Sequence, residues 1–361
     1  MKLAAAPILD WLESRCRGPM EPGDVLIHGP SAAFQAPGGG ECQLVQTARH
    51  LEAIGVEARP FVPWTDRLEQ ARLLHLFGMS REGLELARAA KARRIPVVLS
   101  PIFWFQPGAE IALADHPLRA AGRLLRWVVR TIPGPIPDWR RELVALADRL
   151  LPNSRAEAGQ AVRYLGADRG RIRVVPNGVE ARFGAIEPAT GRDRVLFVGR
   201  IEPRKNLLGL IRAVRPTGLP LEVVGAVPPG REDYAGRCRR EGQGFTLWSG
   251  ACSHDDPSLE GAYARARVLA LPSWFETPGL AALEAAMAGC AVVLTPFGST
   301  REVFGERVEF ARPGRPAEIR RAVQRAWSRG PDPALRSHVL RHFSWSMVAR
   351  KTAEVYDEIA G

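Results

Sequence analysis

The sequence predicts an α/β protein of two doubly wound domains, each a parallel sheet with helices packed on its faces. Three observations predict it. With 361 residues the chain exceeds the roughly 250–300 residues at which a single core stops growing, so two cores are expected. Short β-rich apolar runs alternate with longer helical patterns from end to end, as parallel strands joined by crossover helices require. A polar stretch carrying a proline and two glycines, FGAIEPATGRD at 183–193, separates one complete strand and helix series from the next.

In the first series the strands are VLIH (25–28), VEARPFV (56–62), LLHLF (73–77), PVVLS (96–100), RLLP (149–152) and IRVVP (172–176). Between them ECQLVQTARHLEAIG and REGLELARAAKARR place apolar residues at helical spacing. The second series runs RVLFVG (194–199), LEVVG (221–225), FTLWSG (245–250), RVLALP (267–272) and AVVLT (291–295). RPAEIRRAVQRAW and SWSMVARKTAEVYDEIA then read as amphipathic helices, and ILDWLESRCR near the start as a helix docked on the first domain. The expected divisions are 1–187, 188–340 and a terminal helical segment, 341–361.

Composition excludes several classes. The formal charge is +11 and the pI about 10.2, yet lysine appears only at Lys2, Lys91, Lys205 and Lys351. The arginines are spread along the whole chain with no compact basic motif interleaved with aromatics, which argues against nucleic acid. Cys16, Cys42, Cys238, Cys252 and Cys290 are odd in number and scattered, so neither a disulfide framework nor a zinc site is expected and the compartment should be reducing. No apolar run approaches the ~18 residues of a membrane span, and MKLAAAPILDWLESRCRG breaks into charge before it could form a signal core. A cytoplasmic protein is expected. In AAGRLLRWVVRTIPGPIPDWRREL (120–143), Arg123, Arg126 and Arg130 recur at helical spacing beside Leu124, Leu125, Trp127 and Val128. That segment reads either as peripheral membrane contact, at the inner membrane face, or as an ordinary surface helix.

Ligands of open parallel sheets sit beyond the carboxyl ends of strands, and three stretches have that position. GPSAAFQAPGGGECQLVQ (29–46) carries Gly39 and Gly40 at a helix start, where backbone can approach a phosphate or a sugar, or simply flex. VLFVGRIEPRKNLLGLI (195–211) ends a strand in Gly199 and delivers Arg200 and Lys205 before a helix, a clamp for a diphosphate or two solvated charges. SWFETPGLAALE (273–284) leads to a helix whose first free amides, near Gly279 and Leu280, suit a phosphate. Glu284 follows in an otherwise apolar helix, where an unpaired carboxylate is costly. It lies roughly 7–8 Å along the axis at 1.5 Å per residue, in reach of a ribose, with Glu276 toward the other end of such a ligand. Salt bridges to nearby arginines are the alternative for both glutamates.

Together, VGRIEPRKN, PSWFETPGLAALEAAMAG with its Glu-x7-Glu pair, GSTREVFG (298–305), the glycine-rich first loop and the ending HFSWSMVARKTAEVYDEI resemble the retaining glycosyltransferases of family 4. The resemblance is specific through 172–360 and looser before. It implies the GT-B fold, two Rossmann-like domains facing across a cleft that closes on the donor, with the final helix crossing back to the N-terminal domain. It further implies that Arg200 and Lys205 hold the donor diphosphate, Glu284 the ribose hydroxyls and Glu276 the hydroxyls of the transferred sugar, while amides near Gly279 and Leu280 touch the distal phosphate. Many members carry a histidine after the strand equivalent to PVVLS; this chain reads Ser100-Pro101-Ile102-Phe103-Trp104, so no histidine role carries over there.

The expected partners are a nucleotide-sugar donor and a glycan or lipid-linked acceptor in polysaccharide or glycoconjugate biosynthesis. No cofactor is expected. No Asp-x-Asp occurs in the chain, so cations and helix amides must neutralise the leaving diphosphate without a metal. The rival readings are a sugar-nucleotide epimerase on the same fold and a non-catalytic nucleotide-sugar binding protein.

Overall fold

Every ladder between strands in the computed structural model is parallel. The structure describes residues 6–16, 18–35, 38–114, 116–131, 138–277 and 279–360. The strands are β1 (Val25–His28), β2 (Ala58–Pro60), β3 (Leu73–Phe77), β4 (Val97–Ser100), β5 (Arg149–Leu150), β6 (Arg194–Val198), β7 (Leu221–Val224), β8 (Thr246–Gly250), β9 (Ala266–Leu271), β10 (Ala291–Leu294) and β11 (Glu309–Phe310). They form two sheets, β2-β1-β3-β4-β5 and β11-β10-β9-β6-β7-β8. Both sheets are doubly wound. In the second, the chain moves outward from β6 through β7 to β8, then returns to the other side of β6 for β9, β10 and β11. The point of reversal lies between β6 and β9, and in the first sheet between β1 and β3; such reversals open a crevice at the strand ends.

The chain divides into two units. The N-terminal one comprises Ala6–Phe105, Leu118–Gly178 and Trp345–Gly361; the C-terminal one includes Gln106–Pro117 and Val179–Ser344. Central strands covered on both faces need near-continuous apolar runs, and the sequence supplies them. Leu26, Leu74, Leu76, Val97 and Leu99 meet Leu84, Ala87 and Leu143 in one core. Val195, Phe197, Val223, Leu269 and Val293 meet Leu210, Leu283 and Ile319 in the other.

The crossover falls after Gly178 rather than after 187, because Val179 and Phe183 are already part of the C-terminal core and the Val179 amide donates to the Phe343 carbonyl at 2.7 Å. The return falls at Ser344 to Trp345 rather than at 340 to 341. The helix Trp345–Ala360 belongs to the N-terminal unit. It is fastened by the Tyr356 hydroxyl, 2.7 Å from His75 Nδ1, whose Nε2 lies 3.0 Å from Ser100 Oγ. Burial pushes the His75 pKa down to about 3, so the neutral ring offers one donor and one acceptor to two hydroxyls. The helix Ala6–Cys16 packs on β2 and on the helix Gly39–Glu52; residues 1–5 and 17 lie outside the described residues.

Two elements depart from expectation. IRVVP makes no full strand: Ile172 bridges Leu150, but the neighbouring chain turns to Pro152, which has no N–H to continue a ladder. Two residues are too short to show a period, which is why β11 escaped notice. The stretch 120–143 holds two helices, Pro117–Thr131 and Trp139–Leu146, with 132–137 outside the described residues.

Candidate active site at the strand ends of the C-terminal unit

Beyond β6 the chain turns at Gly199, whose φ of +151° is open to glycine. Gly225, one strand over, approaches so closely that a Cβ there would lie 1.9 Å from the Gly199 carbonyl oxygen. A short turn, Pro203–Lys205, then brings Lys205 inward. Asn206 locks it: at φ +55°, its side-chain amide donates to the carbonyls of Pro272 and Pro313 at 3.0 and 2.9 Å. The loop after β6 is thereby tied to the loop after β9.

That second loop carries Glu276, which is 3% exposed. Lys205 Nζ and Ser273 Oγ each donate to its Oε1 at 2.6 Å. Its backbone is clamped as well, since the Glu276 amide donates to Phe297 O and the Ser299 amide to Glu276 O. Between those two partners lies Gly298, at φ +105°, where a Cβ would stand 1.8 Å from the Glu276 carbonyl oxygen. GSTREVFG therefore begins with a glycine because the chain must pass this close. Burial pushes the Glu276 carboxyl up, but the Lys205 ammonium and then Arg204 outweigh it and hold the group below the usual carboxylate range. Burial pulls the Lys205 ammonium down, against the opposing pull of Glu276. The pair is ionised, and a buried pair of this kind is costly to break.

The free side of Glu276 faces the next helix. A Cβ on Gly279 would sit 3.2 Å from Glu276 Oε2, and Gly279 is the N-cap of the helix Leu280–Met287. The carboxylate thus lies beside the amide end of a helix, at the reversal point of the sheet. Pro278 lies outside the described residues. Arg200 stands apart: it is 42% exposed, 3.7 Å from Glu202, which also pairs with Arg204 at 3.1 Å.

Glu284, 4% exposed, has its own partners. The Tyr263 hydroxyl donates to its Oε2 at 2.6 Å, and Oε1 is 3.4 Å from His254 Nδ1. His254 Nε2 is 2.9 Å from Glu180 Oε2. Glu180 in turn takes Arg182 at 2.9 Å, and Arg182 also reaches Glu260, Asp255 and the His254 carbonyl. Burial lowers the His254 pKa, but the Glu180 hydrogen bond and the Glu284 charge outweigh it, so the ring titrates above its ordinary 6.5. Burial pushes the Glu180 carboxyl up, but the hydrogen bonds and charges of His254 and Arg182 together outweigh it and hold the group down at about 2. Among the described residues, Glu180, His254 and Asp255 hold ligand atoms within 4.8 Å of one another. Arg182 already supplies the positive charge there.

The first glycine loop lies in the N-terminal unit. Gly38 caps the helix Gly39–Glu52, and the Glu41 carboxylate accepts the Gly38 amide at 2.7 Å. Gly40 packs toward Ile102, a β-branched residue at φ +47° just past β4, a strained conformation for its type. Below that turn Glu157, fully buried, accepts the amides of Phe103 and Asn153 at 2.7 Å each. Burial pushes its carboxyl up to about 7.

Of the residues singled out in the sequence, Lys205, Glu276 and Gly279 come together, Gly199 shapes the turn that leads to them, and Leu280 opens the helix. Glu284 and Arg200 sit among other side chains, and Gly39 and Gly40 belong to the other unit. Among the described residues, the side-chain partners of the two glutamates are Lys205, Ser273, Tyr263 and His254 rather than arginines. Sequence reading missed Ser273, Tyr263, His254, Glu180 and Glu157; only Ser273, three residues before Glu276, stood near enough to be found.

Two family models match the chain: a glycosyl transferase 4-like domain over residues 15–178 and glycosyl transferases group 1 over 192–329. Glycogen synthase of Mycobacterium tuberculosis is 28% identical over 307 residues, covering 77% of this chain and 73% of that one. Sucrose-phosphate synthase from Thermosynechococcus elongatus shares the fold at TM-score 0.74, with 18% identity over 93% of this chain and 99% of the other. HepE of Anabaena, solved in complex with UDP, does so at TM-score 0.68, with 16% identity over 93% and 100%. The chain has the GT-B fold. It belongs to the family 4 glycosyltransferases.

Proposed function

We propose that this glycosyltransferase moves a sugar from a nucleoside-diphosphate donor to a glycan or lipid-linked acceptor, with retention at the anomeric carbon and without a metal cofactor. The observation that carries the reading is the buried Lys205–Glu276 pair at the reversal point of the C-terminal sheet, beside the helix start at Gly279. Breaking a sugar–phosphate bond leaves negative charge on the departing diphosphate, and fixed cations and amides placed in advance stabilise it best. Lys205, the more exposed Arg200 and the amides of Gly279 and Leu280 serve that charge. Glu276, held by two donors on one oxygen, has the other available to position hydroxyls of the transferred sugar, and Glu284 takes the ribose. The acceptor attacks from the face the diphosphate leaves, and the departing phosphate takes its proton. The complex of HepE with UDP is consistent with a nucleotide donor here.

We place the reaction in polysaccharide or glycoconjugate biosynthesis, in the cytoplasm and at the inner membrane face. The helix Pro117–Thr131 exposes Leu118, Leu125 and Val128, at 76%, 63% and 58%, with Arg119 also at the surface, a composition suited to an anionic bilayer. Trp127 is not the anchor, because it turns inward onto Phe103, Phe105 and Tyr164. The side chains of Arg126 and Arg130 lie outside the described residues. No helix among the described residues is long and apolar enough to cross a membrane.

The test is transfer from UDP-, GDP- and ADP-sugars to simple glycosides and to membrane lipid extracts in EDTA, with the product's anomeric configuration read by NMR. A product with the donor's configuration, formed in EDTA, is expected. Inversion, or an absolute need for a divalent ion, would overturn the mechanism. Conversion of the donor with no acceptor would favour an epimerase, and no turnover would favour a binding protein.

A further inference from the structure

We infer that His254 is a positioning residue for Glu284 and that donor affinity falls when it loses its proton. The inference rests on the reading that Glu284 takes the ribose hydroxyls. His254 stands between two carboxylates, with Nε2 2.9 Å from Glu180 and Nδ1 3.4 Å from Glu284. A neutral imidazole carries one N–H and one lone pair. Only the doubly protonated ring can turn an N–H to both acids at once.

Among the described residues, the carboxylates around the ring favour its proton and the Arg182 charge opposes it. Glu180 and Arg182 approach from the turn before β6, Asp255 from the ring's own loop and Glu284 from its helix. Tyr263, from the helix Pro257–Arg265, stays a phenol well above its ordinary pKa, and Cys252 stays a thiol at about 11, both through burial. With Glu260, which also pairs with Arg182, four carboxylates thus share one arginine and the ring, and the protonated imidazole brings the cluster closer to balance. When the proton leaves, the shorter contact to Glu180 keeps the remaining N–H, and Glu284 then faces a lone pair. Tyr263 alone holds it, on the other oxygen. A carboxylate that must meet two ribose hydroxyls is then free to turn away.

The experiment is titration calorimetry with UDP, GDP or ADP, whichever binds, on the full chain and on His254→Gln, Glu180→Gln and Glu284→Gln between pH 6.5 and 9. Glutamine cannot titrate, so His254→Gln should bind roughly 3- to 10-fold more weakly than wild type at pH 6.5, a loss in the range of one hydrogen bond to a charge. At pH 9 the two should converge. In steady state the variant should raise donor KM at pH 6.5 and leave kcat at saturating donor unchanged. Glu180→Gln removes the partner that raises the histidine, so it should move the wild-type transition to lower pH. A His254→Gln to wild-type ratio that is constant across the range would overturn the inference, as would an unmoved transition in Glu180→Gln. Should Glu284→Gln bind as wild type at every pH, the ribose reading itself fails; a defect there with a constant His254→Gln ratio leaves that reading standing and removes only the histidine.

Discussion

The two units share one winding but load their strand ends differently. In the N-terminal unit the buried carboxyl beyond β4 and β5, Glu157, accepts two backbone amides, and burial pushes it up to about 7. In the C-terminal unit the Glu276 carboxylate is held by the Lys205 ammonium, and Glu284 lies beside His254. A nearly neutral strand end suits hydroxyl-bearing ligands. A charged one suits a diphosphate. Glu222 shows what a structural carboxylate looks like in the same sheet: it is mid-strand, fully buried, and closed by Arg194, Arg265 and Ser249. Glu276 differs in having an oxygen turned to a helix start.

The largest effect should come from removing the cation. Lys205→Met leaves Glu276 buried and unpaired, so transfer should fall about 100-fold or more, as when a transition-state donor is lost, and stability by about 3–5 kcal/mol. Initial rates and urea unfolding measure both. If Lys205→Met keeps near-full activity, the charged strand end is structural, and the contrast with Glu157 loses its functional meaning.

Gly298→Ala should come next. A Cβ 1.8 Å from the Glu276 carbonyl oxygen at φ +105° forces the loop to move, at a cost of roughly 2–4 kcal/mol by analogy with other strained and overpacked sites. Donor affinity should drop with it. Alanine at Gly39, which has open space around it, should be tolerated by comparison.

The last effect, confined to stability and to a pH window, sharpens the N-terminal side. Glu157 titrates at about 7 in the folded protein against an ordinary 4.5, so the native state binds the extra proton between those values. Its contribution is fully present below about 4.5 and is lost as pH rises through about 7, worth roughly 3 kcal/mol across that window. Denaturant midpoints of wild type should therefore fall over that range relative to those of Glu157→Gln, and parallel curves would show that Glu157 carries no such proton.

Much of this was legible in the sequence because it is local. Continuous apolar strands, glycines at strand ends and a glutamate in a helix with no other polar residue are all visible within a dozen positions. Lys205 and Glu276 could each be found that way, though not their 2.6 Å contact, made across 71 positions. His254 and Tyr263 left no such mark. They reach Glu180 and Glu284 across 74 and 21 positions, and a lone histidine in CSHDDP looks like any loop residue until the fold closes around it. Trp127 misled for the converse reason: the helical pattern gives its angle on the helix but not which side faces the protein.

The most direct test of the central claim, that the strand ends of the C-terminal unit hold a nucleoside diphosphate through Lys205, is thermal unfolding with UDP, GDP, ADP, CMP and NAD, with and without magnesium, in wild type and in Lys205→Met. A ligand at 100 times its Kd adds about 2.7 kcal/mol. One diphosphate should stabilise wild type without magnesium and leave Lys205→Met unchanged. Equal stabilisation of both proteins, or of neither, would contradict the account.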